Sequence, residues 1–87
     1  MFDLTAFQRD ILRHLRKDDV EIGLEIKEEI ENERGETTNH GRLYTNLGKL
    51  EEEELIDYEE IDGRTKRNYL TGKGQEVVEG FEELWSE

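Results

Sequence analysis

The chain has 87 residues, no cysteine and no proline, and 24 acidic against 12 basic residues give it a net charge of −12. That length allows one small domain with a modest core, so an extended partner surface or dimerisation is expected. Disulfides and thiolate metal sites are excluded, no apolar run approaches the roughly 20 residues of a membrane helix, and the opening MFDLTAFQRD lacks the order of a signal peptide.

A first helix is predicted over Leu4–Lys17. Leu4, Phe7, Ile11 and Leu15 recur at i, i+3, i+7 and i+11, with Leu12 alongside. Asp3 or Thr5 can cap its start, and Arg13, Arg16 and Lys17 suit the negative end of its dipole. His14 lies beside the stripe and reads as a surface or boundary residue, not a ligand. Arg9, Arg13 and Arg16 read as partners of the many carboxylates, not of phosphate. In the connector Asp18–Ile22, Val20 and Ile22 alternate with polar residues and suit a very short strand. A second helix follows over Leu24–Arg34. Ile26 and Ile30 share a face, Leu24 packs at its edge, and Lys27, Glu28, Glu29 and Glu31 form a solvated face. Gly35 stands where a left-handed residue commonly ends a helix.

Thr37–Leu55 is the most distinctive stretch. Thr37, Thr38 and Asn39 suit a helix cap, and a third helix is predicted from about His40 to Glu54. Leu43, Leu47, Leu50 and Leu55 mark one face; Arg42, Thr45, Asn46 and Lys49 occupy the other. No acid occurs from Thr37 through Leu50, whereas Glu51–Glu54 crowd the C-terminal end, where the dipole disfavours them. Gly48 costs about 1 kcal/mol relative to alanine in a helix. It marks either a close backbone approach, to DNA or to a packed neighbour, or a tolerated glycine.

Ile56 and Tyr58, then Ile61 after a slip, alternate with acids, and Asp62-Gly63 is a hairpin signal. Thr65–Leu70 supplies the return strand, with Arg64, Lys66 and Arg67 at and just beyond the tip. An ordinary solvent-facing turn is the alternative reading of that cluster. Thr71-Gly72-Lys73-Gly74 opens a last helix, whose stripe is Val77, Val78, Phe81, Leu84 and Trp85.

Charge is unevenly placed along this order. Thr37–Leu50 and Gly63–Gln75 hold no acid and together carry +6; with the whole chain at −12, the other 60 residues carry −18. The two windows coincide with the third helix and the hairpin, the elements that meet DNA in a winged helix-turn-helix; chance clustering is the bland alternative. The acid elsewhere fits a surface hydrated in concentrated salt, a DNA-mimicking surface, or ordinary solvated helix faces. The expected fold is α+β and mostly helical: a winged helix-turn-helix with three helices, a two-stranded β-hairpin wing and a C-terminal helix, as one domain over residues 1–87.

The ordered motifs also resemble a family. Gly23-Leu24-Glu25-Ile26, His40-Gly41-Arg42-Leu43-Tyr44-Thr45-Asn46-Leu47 with Leu50-Glu51, Leu55-Ile56, Gly63-Arg64-Thr65 and Asn68-Tyr69-Leu70-Thr71-Gly72-Lys73-Gly74 are similar to PadR-type transcriptional regulators, particularly short halophilic archaeal ones. The resemblance spans about residues 20–75. Thr45 stands where the family often has proline, and Glu54 where it often has glycine. The resemblance implies a homodimeric winged-helix repressor on double-stranded DNA, and the lack of cysteine, membrane run and signal-peptide order leads us to expect a cytoplasmic protein. Candidate DNA contacts are Thr38, Asn39, His40, Arg42, Tyr44, Thr45, Asn46 and Lys49 around the third helix, and Arg64, Thr65, Lys66 and Arg67 on the wing. Dimerisation is expected on the first and last helices (about 4–17 and 74–86), with Phe2, Leu4, Phe81, Leu84 and Trp85 as candidates and intrachain core as their alternative role. No cofactor, metal or catalytic residue is expected, since the chain has only two histidines, no glycine-rich phosphate loop and no metal-ligand spacing. A winged-helix protein-interaction module that does not bind DNA is the rival.

Overall fold

Apolar residues recurring every third or fourth position in the helices close over one another in the computed structural model. It describes residues 4–18, 20–63 and 65–85. The elements are α1 (Ala6–Asp18), β1 (Val20–Ile22), α2 (Gly23–Arg34), α3 (His40–Glu52), β2 (Ile56–Glu60), β3 (Lys66–Leu70) and α4 (Gly72–Trp85). This is the winged helix-turn-helix order. α1 is the hub, packing against α2, α3, α4, β1 and β3. Its Phe7, Ile11, Leu12 and Leu15 join Ile26 and Ile30 of α2, Leu43, Leu47 and Leu50 of α3, and Leu55, Ile56, Leu70 and Val78 in one buried cluster.

Each helix start has a local cause. Thr5 and Gln8 form a capping box ahead of α1: the Gln8 N–H donates to Thr5 Oγ1 and the Thr5 N–H to Gln8 Oε1, both at 3.1 Å. Leu4 therefore precedes the helix instead of beginning it, and is half-buried against the core. At α2, Glu25 Oε1 accepts from the Ile22 N–H at 3.1 Å, half of such a box, because Ile22 has no side-chain acceptor. Gly35 ends α2 at φ 72°, its N–H donating to the Glu31 carbonyl at 2.8 Å. Asn39 caps α3, its Oδ1 accepting from the Arg42 N–H at 2.9 Å.

The sheet has one strand more than the hairpin expected. β1 pairs antiparallel with β3, giving the order β1-β3-β2. Val20 lies opposite Tyr69 and Ile22 opposite Arg67. Three residues are too few for a periodic signal, and the pairing is non-local. Two further departures concern burial. His14 is buried, its ring nitrogens 3.5 Å from Glu29 Oε2 and 2.9 Å from Glu33 Oε2 of α2, at ion-pair distance and not as aligned hydrogen bonds. Leu24, expected to pack at an edge, is 50% exposed.

α3 stops two residues earlier than expected, and Glu54 explains how. The Leu55 N–H donates to the Leu50 carbonyl at 3.0 Å and the Glu54 N–H to the Glu51 carbonyl at 2.9 Å, the paired bonds of a Schellman ending. Glu54 takes the left-handed position at φ 63° that glycine usually fills. α4 then closes on this corner. Thr71 Oγ1 donates to the Glu54 carbonyl at 2.6 Å, and the Thr71 N–H donates to the Leu55 carbonyl at 3.1 Å. The same hydroxyl accepts from the Gly74 N–H at 3.0 Å, so α4 begins at Gly72, ahead of position 74. A Cβ on Gly74 would stand 2.0 Å from the Leu55 carbonyl oxygen.

Two substitutions at this corner should act in opposite directions. Glu54→Gly removes a left-handed non-glycine residue and should raise stability by about 0.5–1 kcal/mol. Gly74→Ala forces a methyl into a backbone carbonyl and should lower it by about 1–3 kcal/mol. Urea unfolding midpoints of both variants against the wild type are the check.

Candidate nucleic-acid interface

The leucine stripe of α3 faces α1, so its opposite face must meet solvent. His40, Gly41, Arg42, Tyr44, Thr45 and Lys49 are exposed there. The face is partly pre-arranged. Arg42 holds its guanidinium 4.3 Å over the ring of buried Phe7. His40 and Tyr44 approach ring to ring at 4.6 Å. Asn46 is half-buried: its Oδ1 accepts from Gln8 Nε2, and its Nδ2 donates to the Arg42 carbonyl, both at 2.8 Å. Lys49 makes no ion pair among the described residues. Asn39 is exposed but occupied as the helix cap.

Thr38 departs from the surface role expected of it. It is buried, and its N–H donates to Glu31 Oε2 at 2.7 Å. Glu31 thereby ties the lead-in of α3 to α2, with Lys27 Nζ 3.4 Å away on the same carboxylate. The Thr38 N–H, and less strongly Lys27, hold the Glu31 carboxyl below its ordinary range against a smaller opposing effect of burial.

The wing is built on an aspartate turn. Asp62 Oδ1 accepts from the Thr65 N–H at 3.0 Å, and the Thr65 carbonyl accepts from the Ile61 N–H at 2.9 Å. Strand alternation then divides the cations. Lys66 shares a face with buried Asn68 and Leu70, whereas Arg67 points to the other side. Both are exposed, and Lys66 Nζ sits 4.1 Å over the Tyr58 ring across the hairpin. Arg64 lies outside the described residues, as do Phe2 and the side chains of Leu84 and Trp85. Leu4 and Phe81 are half-buried against the core. Lys73 falls in the first turn of α4, not on the wing.

The fold brings the two acid-free windows together. Tyr44, Leu47, Gly48 and Glu51 of α3 and Thr65, Lys66 and Asn68 of the wing line one groove of about 620 Å³. Ile22, Gly23 and Leu24, where β1 passes into α2, line it as well. Sequence reasoning missed this third contributor. Gly23 is buried, and a Cβ there would stand 2.5 Å from Tyr44 Oη. The signals were a glycine directly after a possible strand and the place of Gly23-Leu24-Glu25-Ile26 among the motifs of the family resemblance. Among the described residues, no atom outside its own helix backbone lies within 4 Å of the position a Cβ on Gly48 would take, so none of them packs on it.

Among the described residues, no group of three or more His, Cys, Asp or Glu side chains could hold a metal ion, and no helix is long and apolar enough to cross a membrane.

Four helices with a winged hairpin make this a winged-helix protein, whose third helix exposes a face without acid from His40 through Leu50. The chain belongs to the transcriptional regulator PadR-like family, which it matches over residues 11–80. It is similar to RosR of H. salinarum, at 44% identity and a TM-score of 0.89, covering 94% of this chain and 74% of that one. The same protein in the complex RosR-S4 superposes with a TM-score of 0.90 over 94% of this chain and 70% of that one, again at 44% identity. A point mutant of MarR from E. coli, complexed with operator DNA, shares the fold: TM-score 0.80, 22% identity, 97% of this chain and 57% of that one. No curated protein sequence matches the chain.

Acid should loosen the seat of α3 through Glu31. A carboxyl depressed in the folded state stabilises fully above its unfolded value, about 4.3, and that stabilisation is lost as pH falls through the lower folded value. Glu31→Gln should therefore be less stable than wild type at neutral pH, with the gap narrowing in acid. Urea midpoints at pH 7 and at about pH 3 read the difference directly.

Proposed function

We propose that this protein binds double-stranded DNA as a homodimer and represses transcription by occupying a pseudo-palindromic operator. The observation that carries the reading is the groove where α3 and the wing meet. Tyr44, Leu47 and Gly48 of one acid-free window and Thr65, Lys66 and Asn68 of the other, well separated in a chain of net charge −12, line one surface feature with Glu51 at its side, and Arg42 and Asn46 lie outside it on the same helix. The family and the fold support it, as does the operator-bound form of MarR.

In the proposed complex, α3 enters the major groove and the wing reaches the flanking backbone. Arg42 reads guanine and Asn46 adenine, each worth about 1–3 kcal/mol of discrimination. Thr45 and Lys49 flank them on the exposed face. Tyr44, His40, Asn39 and the wing residues Arg64, Thr65, Lys66 and Arg67 position the sugar-phosphate chain, whereas Thr38, buried with its N–H committed to Glu31, takes no part. From His40 through Leu50 the exposed face of α3 carries only Arg42 and Lys49 as full charges. It therefore specifies more than it holds; the wing and a second subunit supply the rest. A two-fold dimer places identical helices in half-sites about one helical turn apart. The proposed interface combines α1 and α4, with Phe2, Leu4, Phe81, Leu84 and Trp85 as its apolar members.

Selection from a random duplex pool identifies the operator, and two variants then separate the roles. Arg42→Ala should lose about 10- to 100-fold in operator affinity and relax preference at one base position. Arg67→Ala should weaken operator and random duplex alike and flatten the salt dependence. If neither variant changes duplex affinity, or the wild type binds no duplex, the acidic interaction module becomes the better reading.

A further inference from the structure

We infer that Gln8, in the first turn of α1, is a positioning residue for DNA reading: it fixes the amide of Asn46 so that its donor and acceptor face the groove in one order only. The inference rests on the DNA-reading role proposed above for α3.

The constraint starts at a group whose polarity cannot change. The Thr5 backbone N–H only donates, and it donates to Gln8 Oε1 at 3.1 Å. With its oxygen committed, Gln8 turns Nε2 the other way, where it meets Asn46 Oδ1 at 2.8 Å. Asn46 must then direct Nδ2 away from Gln8, and that nitrogen donates to the Arg42 carbonyl at 2.8 Å. A carbonyl only accepts, so the far end of the relay is fixed as well.

Reversing either amide breaks the relay. A flipped Gln8 sets its NH2 against the Thr5 N–H. A flipped Asn46 sets NH2 against NH2 at Gln8 and oxygen against oxygen at Arg42. Gln8 is 8% exposed, so water is poorly placed to relieve a mismatch. Asn46 is half-buried and uses one of its two N–H groups and one of its two acceptor positions in the relay. The remaining pair can meet adenine N7 and the N6 amino group, and the relay decides which end of the amide meets which. Beside Gln8, Phe7 carries the Arg42 guanidinium at 4.3 Å. One turn of α1 thus orders both proposed base readers, although neither of its residues lies on the exposed face.

Two variants separate positioning from packing. Gln8→Glu keeps an acceptor for the Thr5 N–H, and with it the capping box, but has no donor for Asn46. Gln8→Met keeps side-chain bulk and has neither group. Selection from a random duplex pool is run with the full-length wild type, both variants and Asn46→Ala. The position at which Asn46→Ala loses preference identifies the base that Asn46 reads. At that position both Gln8 variants should lose about tenfold in preference, with affinity for random-sequence duplex within about twofold of wild type. In the free protein, the Asn46 side-chain amide resonances should shift in both variants.

Unshifted resonances, or Gln8 variants that keep the wild-type preferences, reduce Gln8 to a helix cap and overturn the inference alone. A uniform affinity loss at every sequence does the same. If the wild type enriches no sequence, this inference and the reading beneath it fall together.

Discussion

α3 can expose a bare polar face only because the opposite face is pinned to α1. Leu43, Leu47 and Leu50 are buried against a cluster that includes Phe7, Ile11, Leu12 and Leu15. Burying each such leucine contributes about 1.5–3 kcal/mol. The polar links between the two helices, chiefly Gln8 to Asn46, contribute about 1 kcal/mol apiece. The apolar stripe therefore decides that α3 sits here, and the hydrogen bonds decide how its side chains are turned. The wing depends on the same hub, since β3 packs on α1 and carries both β1 and β2.

Charge acts at a different level from packing. Surface ion pairs such as Arg13 with Asp10 and Glu33, at 3.0 Å each, are worth about 0–1 kcal/mol. They do not explain why the fold holds, and the excess of acid does not strengthen it. What the acid can do is orient the molecule. A polyanion is repelled by the −18 outside the two windows, and the proposed approach, along α3 and the wing, is the one with least acid. Glu51 at the lip of the groove and the exposed Glu52–Glu54 beyond it bound that approach at the C-terminal end of α3.

Features written in local periodicity were legible from the chain alone. The stripes of α1 and α3, the glycine ending of α2, the Asp62-Gly63 turn and the winged order all follow from neighbours within a few residues. Features that depend on what lies across the fold were not legible. The very short strand read at Val20 and Ile22 is present as β1, but its pairing with β3 was not legible, because the partner lies far along the chain. Thr38 is buried because Glu31, seven positions earlier, reaches its N–H. His14 is buried because two glutamates of α2 close over it. At the proposed site, the exposure of Arg42, Tyr44, Thr45 and Lys49 followed from the stripe. The anchoring of Asn46 by Gln8, 38 positions away, did not. Glu54 is a mixed case: the family resemblance marked it as standing where glycine is common, and only the backbone showed a Schellman ending with glutamate in the left-handed position.

In the proposed complex DNA meets the protein on the surface of α3 and the wing and nowhere else. Amide chemical shifts recorded while the full chain is titrated with its selected duplex test this most directly. Perturbations should concentrate at Arg42, Tyr44, Thr45 and Lys49, at Thr65–Arg67 and at Gly23 and Leu24 in the groove. The glutamates along α2 should stay unchanged. Perturbations centred on the acidic face of α2, or spread evenly over the molecule, would contradict the account.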